Sequence, residues 1–216
     1  MKFRFWITWL LLPLLVAAGC SKLDRSSTYY YYFNEKIYLN ECRDMIFIQF
    51  EKGLPEAQKL SIVKSDPSLK PWTYHSRRNG NEYSYDGLGQ SDIAVLQSSG
   101  RISQSRLNAI KNKDGVRSVS YMLEKDGQFI AVDDTFTVML GGNTQESQLA
   151  ALARQYGCTY ELWLTAGVPW DGVYNITVPK TSTLGTIRLS CIFLETGLFD
   201  WTSPNFYTFG ASWSFS

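Results

Sequence analysis

Apolar positions along the chain switch between two spacings in a repeating order. Met45-Ile46-Phe47-Ile48-Gln49-Phe50 is a compact apolar run that predicts a strand, and Leu54 to Leu60 predicts a helix, with Pro55 placed near its start. Ile93-Ala94-Val95-Leu96 predicts a second strand and Ser103 to Ile110 a short helix. The alternating stretch Val116 to Leu123 predicts a third strand, closed by the hairpin turn Lys125-Asp126-Gly127. Upstream, Tyr29-Tyr30-Tyr31-Tyr32-Phe33, a turn at Asn34-Glu35-Lys36 and the returning Ile37-Tyr38-Leu39 predict a hairpin whose tyrosines pack on a sheet. Residues 65–90, rich in Ser, Gly, Asn and Tyr, read as loops with a strand near Trp72-Thr73-Tyr74.

The second half repeats the order with clearer signals. Thr135 to Leu140 predicts a strand, and Asn143 with Glu146 suits a capping box for a helix that presents Leu149, Leu152 and Tyr156 on one face and ends at Gly157. Thr159 to Leu164 and Tyr174 to Val178 predict strands on either side of the turn-like Gly167 to Gly172. Leu184, Ile187, Cys191 and Leu194 recur at helical spacing before Gly197, and Leu198 to Thr202 predicts a last strand. The order across 135–202 is β-α-β-β-α-β, which predicts an α+β fold of ferredoxin-like type, in two tandem units with the first one degenerate.

The N-terminus follows a different pattern. Lys2 and Arg4 precede an apolar run from Phe5 to Val16 and the small residues Ala17, Ala18 and Gly19, the order of a secretory signal peptide. A bilayer-spanning helix needs roughly twenty apolar residues, more than this run supplies. Val16-Ala17-Ala18-Gly19-Cys20 resembles the lipobox of bacterial lipoproteins, in which the cysteine thiol receives a diacylglycerol after cleavage. This implies a chain anchored in the cell envelope, at the outer membrane, by lipid at Cys20, because two or more acyl chains hold a protein stably where one does not. Residues 1–19 read as the signal and 20–28 as a polar tether.

Charge and chemistry narrow the role. Removing residues 1–19 takes two of 21 basic residues and none of 20 acidic ones, leaving 19 against 20 and a formal charge of −1. A chain so near neutrality has no electrostatic footprint for nucleic acid. His75 is the single histidine, in a polar loop-like stretch beside Arg77 and Arg78, with no nucleophile elbow near it. Zinc sites with several histidine ligands are excluded by counting. Asp133-Asp134, the only adjacent acidic pair, reads as a turn or solvated edge, and Gly141-Gly142 as a tight turn without a phosphate-binding fingerprint. Cys42, Cys158 and Cys191 lack metal-type spacing and read as buried small hydrophobes, with one disulfide among them left open. The expectation is a protein with no cofactor, no metal and no catalytic residues.

Two stretches carry a further resemblance. Tyr29 to Leu39, a tyrosine run with a short turn and Glu35-Lys36-Ile37, is similar to the start of the N-terminal region of subtilisin-like proteases from Bacteroidetes. Leu149 to Cys158, then Glu195-Thr196-Gly197-Leu198-Phe199 and Ser203-Pro204-Asn205-Phe206, resemble the later part of that region. The resemblance spans about residues 29–206, and the chain ends at Ser216, where the catalytic domain of those proteases begins.

The resemblance implies a propeptide-like, non-enzymatic binding module whose partner is a subtilisin-like protease or another envelope protein. The alternative is a structural or adhesive envelope lipoprotein. The expected organisation is a hairpin and α+β subdomain over 29–127, a propeptide-like subdomain over 128–206 and a tail over 207–216. In propeptides of this kind the C-terminal segment enters the protease cleft, which makes Phe206, Tyr207, Phe209, Trp213 and Phe215 the candidate partner-binding residues. The same segment also reads as a last edge strand.

Overall fold

The computed structural model describes the backbone of residues 23–24, 28–78, 81–85, 92–165 and 168–209, and the side chains of 28–73, 92–163 and 170–209. The chain is a mixed α/β protein whose strands pair antiparallel throughout. Its first half contains β1 (Leu23–Asp24), the hairpin β2 (Tyr29–Tyr32) and β3 (Glu35–Tyr38), β4 (Asn40–Phe50), α1 (Glu56–Lys64) and β5 (Leu69–Pro71). A second hairpin, β6 (Tyr74–Arg78) and β7 (Asn81–Tyr85), precedes β8 (Ile93–Ser98), α2 (Gln104–Lys111) and β9 (Val116–Lys125). The second half is β10 (Gln128–Leu140), α3 (Glu146–Gln155), β11 (Thr159–Thr165), β12 (Val168–Thr177), α4 (Thr186–Glu195) and β13 (Phe199–Phe209).

One sheet joins the halves in the order β11-β12-β10-β9-β4-β8-β5, with β1 added to β4 and β13 to β10. In the first half β4 lies between β9 and β8, with β5 outside β8; in the second, β10 lies between β13 and β12, with β11 outside β12. The tight turn Asp126-Gly127, with both residues at positive φ, links β9 to β10 and carries the chain from one half to the other.

The continuous apolar run of β4 has a packing reason, since both of its faces are covered. Ile46, Ile48 and Phe50 face Val63 of α1 and Leu107 and Ile110 of α2. Met45 and Phe47 face the other way, into a core that includes Val95, Met122, Ala131 and the side chain of Tyr207. In the second half Phe136, Val138, Tyr174 and Ile176 meet Leu149 and Ala153 of α3 and Leu189 and Phe193 of α4. A fourth core, with Tyr30, Leu39, Leu123, Ile130 and Val132, lies under the first hairpin.

Several elements differ from the sequence reading for local physical reasons. Helix α3 is capped by a Gln145–Gln148 capping box. Asn143 sits in the preceding turn, and Glu146 accepts hydrogen bonds from the hydroxyls of Tyr160 and Tyr174, 3.3 and 3.0 Å away. Helix α4 starts at Thr186, so Leu184 precedes it, while Ile187 packs toward the fourth core. The expected turn at Gly167 to Gly172 lies largely within β12, where Trp170 meets Trp163 of β11 edge-on at 5.4 Å. Residues 74–78, expected as loop, form β6 and include His75, whose side chain lies outside the described residues.

The largest correction concerns the two ends of the second half. β10 begins at Gln128, and the aspartate pair expected in a turn stands inside it, at a bulge between Val132 and Phe136. β13 runs to Phe209, past the expected start of a tail at 207, because its backbone pairs with β10 as far as Phe129↔Phe209. Among the described residues, no helix is long and apolar enough to cross a membrane.

Candidate functional site

The main concavity lies along the seam between the halves, a cavity of about 770 Å³ whose lining includes Lys111, Arg117, Asp133, Asp134, Lys180 and Cys191. The β10 bulge builds its floor. A bulge leaves residues without a cross-strand partner and re-aims their side chains. Both aspartates are consequently buried, each about 8% exposed, where sequence reading placed a solvated edge.

Each carboxylate is met differently. Asp133 Oδ1 accepts from the backbone N–H and the hydroxyl of Thr135, both at 2.7 Å. Burial nevertheless pushes the Asp133 carboxyl above the ordinary carboxylate range, with the Thr135 hydrogen bonds acting the other way. Asp134 Oδ2 accepts from Nε of Arg117 at 2.7 Å, while its Oδ1 is buried without a hydrogen-bond partner.

The cations along the seam hold backbone. Lys180 Nζ donates to the carbonyls of Lys113 and Val116 at 2.9 and 2.6 Å, and Lys111 Nζ to the carbonyl of Ser182 at 3.0 Å. Burial, with the charge of Lys180 beside it, pulls the Lys111 amine below its usual range. These bonds tie the α2–β9 turn to the loop before α4, so the lysines staple the halves.

The hydroxyls and the thiol of the seam are committed too. Ser118 donates to Gln49 Oε1 and Ser120 to the Val132 carbonyl. The Cys191 thiol lies 3.3 Å from the Tyr29 carbonyl and is pushed up to about 11, chiefly by burial, so it stays protonated at neutral pH. Among the described residues, no group of three or more His, Cys, Asp or Glu side chains is arranged to hold a metal ion. Among the described residues, the seam is held by hydrogen bonds and ion pairs between the two halves.

The sequence-predicted site residues separate into two sets. Phe206, Tyr207 and Phe209 lie on β13: Phe206 packs on Tyr30 with ring centroids 4.8 Å apart, Tyr207 on Phe47 at 5.1 Å, and Phe209 on Trp72 at 6.1 Å. These half-buried rings pack the second half onto the first. Cys20, Trp213 and Phe215 lie outside the described residues. Cys42 is disulfide-bonded, and Cys158 and Cys191 are buried free thiols.

A pair of related positions escaped sequence reading. β4 carries its own bulge, between Cys42 and Ile46, and Asp44 stands second in it, as Asp134 stands second in the bulge of β10. The recurrence of Asp44 before Met45-Ile46-Phe47 and of Asp134 before Thr135-Phe136-Thr137, ninety positions later, was the available signal. No protein-family model and no curated protein matches the chain.

Proposed function

We propose that residues 40–125 and 128–209 are two tandem ferredoxin-like units, and that the chain is a lipid-anchored, non-catalytic module that binds another envelope protein in the manner of a protease propeptide. The observation that carries the proposal is the strand order. With the hairpin β6–β7 of the first half set aside as an insertion, each half runs β-α-β-β-α-β, and in each the sheet order is last, first, third, second. That is the arrangement expected of the propeptide-like region the sequence resembles. Agreement in the detail of the bulges supports the duplication. The carbonyl of the first bulged residue is taken near the start of the unit's second helix in both halves, Arg43 O by the backbone N–H of Ile102, two residues before α2, at 2.6 Å and Asp133 O by the hydroxyl of Thr186, the first residue of α4, at 2.6 Å.

With Phe206, Tyr207 and Phe209 engaged in the sheet, a partner contact made by the C-terminal segment starts at residue 210 or beyond. The test uses the mature chain, intact and shortened after Phe209, titrated against subtilisin-like proteases of the same organism. Binding with inhibition, no hydrolysis of protein substrates by the chain itself, and weaker binding by the shortened form are expected. Equal binding by both forms moves the contact elsewhere. Absence of binding by either returns the preference to a structural envelope lipoprotein.

A further inference from the structure

The equivalence of Asp44 and Asp134 assigns a second site. In the second unit, the carboxylate at this bulge position receives a guanidinium, and the donor is Arg117 of β9, a strand of the preceding unit. Among the described residues, no guanidinium meets Asp44 Oδ1. Asp44 is about 5% exposed, and its Oδ1 is buried without a hydrogen-bond partner. A carboxylate so placed is costly to keep unless a cation or hydrogen-bond donor meets it.

Asp44 lines a cavity of about 610 Å³ together with Ser68, Lys70, Trp72, Gln97 and Ser99. The cavity has the parts a planar cation requires. Gln97 and Ser99, which line the same cavity, carry side-chain oxygens able to accept hydrogen bonds. The indole of Trp72 is the best of the side-chain rings for a cation. Guanidinium groups match carboxylates with two parallel N–H donors, which a metal ion or a simple ammonium does not reproduce. Lys70 lines the same cavity and leaves Asp44 Oδ1 unmet.

The geometry points to Asp44 and its cavity as a seat for an arginine side chain of the partner protein, by analogy with the single Nε bond that Arg117 makes to Asp134 Oδ2. The inference rests on the binding-module reading for the existence of a partner and adds the chemistry by which that partner is recognised. It requires no particular protease.

The experiment therefore uses a small probe. The mature chain, labelled with nitrogen-15, is titrated with N-acetyl-arginine amide and separately with N-acetyl-citrulline amide, its uncharged analogue. Saturable movement of the Trp72 indole and Gln97 amide signals by the arginine compound is expected, with citrulline weaker by about tenfold or more, since hydrogen bonds to charged groups are worth appreciably more than neutral ones. Asp44→Asn, checked for a native-like spectrum, is expected to bring the arginine curve to that of citrulline.

Where Asp44→Asn loses the fold, the comparison of the two compounds on the unaltered chain decides alone. Equal response to both, response to neither, or response to calcium ion in place of arginine overturns the assignment. None of those outcomes bears on protease binding, so failure of the seat leaves the proposed role standing.

Discussion

Arg117 on β9 and Asp134 on β10 meet across the seam at 2.7 Å, Nε to Oδ2, with the arginine side chain 36% exposed and the aspartate 10%. The pair joins the last strand of the first half to the first strand of the second. The guanidinium that Asp134 holds also explains why a carboxylate is tolerated in the middle of a thirteen-residue strand.

Arg117→Ala is expected to destabilise the chain by about 1–3 kcal/mol, because a buried acceptor is left without its donor while water screens part of the lost attraction. Asp134→Ala removes the charge along with the bond and is expected to cost less than Arg117→Ala, apart from any small cavity it leaves. Urea unfolding of both single variants and of the double variant reads the coupling. Additive effects would show that the pair contributes nothing as a pair.

Asp133 gives the stability a pH dependence of defined sign. Its carboxyl titrates above its unfolded value, chiefly through burial. Folding therefore takes up protons between the ordinary carboxylate range and the raised folded value. Through that window the Asp133 contribution falls as pH rises, because the buried carboxylate must then carry charge. Unfolding free energies of the native chain and of Asp133→Asn, compared across pH 3 to 7, are expected to show this downward component only in the native chain. Parallel profiles would contradict it.

The parts of the fold set by local patterning were legible in the sequence. The apolar run of β4, the helices ending before Gly157 and Gly197, and Leu149, fully buried against the sheet, all follow from spacing within one element. The parts set by pairing between distant segments were not. Asp133-Asp134 looks like a turn because two adjacent carboxylates suit solvent, whereas in the fold Thr135 donates to Asp133 and Arg117, seventeen residues before Asp134, donates to Asp134. For Tyr207 and Phe209 the alternation of aromatic and polar residues reads equally as a tail or an edge strand, and pairing with the N-terminal part of β10 and packing on the rings of Phe47 and Trp72 select the strand. The site was hidden for the same reason, since Asp44 acquires meaning through its correspondence with Asp134.

The sulfur of Cys20 provides a stringent test of the anchor. For an anchored protein, mass spectrometry of the envelope fraction is expected to find diacylglycerol on Cys20. Cys20→Ala is expected to abolish lipid labelling and release the chain from membranes. Lipid label retained by Cys20→Ala would refute the anchor at this residue.

Tyr207 separates a role in folding from a role in binding. Its ring rests on Phe47, which is fully buried in the core between the units, and its backbone pairs with Ala131. Truncating a large aromatic in a core costs about 3–5 kcal/mol, and Tyr207 is only half-buried, so Tyr207→Ala is expected to cost about 2–3 kcal/mol. Tyr207→Phe keeps the ring contact and is expected to stay close to the native stability. If β13 acts on a partner only by holding the units together, partner affinity will follow stability in these variants. Tyr207→Ala will then weaken binding only under conditions that unfold it, and loss of residues 210–216 will weaken binding with no change in unfolding. Measuring thermal unfolding and protease binding on the same samples gives both quantities. A Tyr207→Ala chain that stays fully folded yet fails to bind would return Tyr207 to the partner contact and remove the assignment of its ring to the seam.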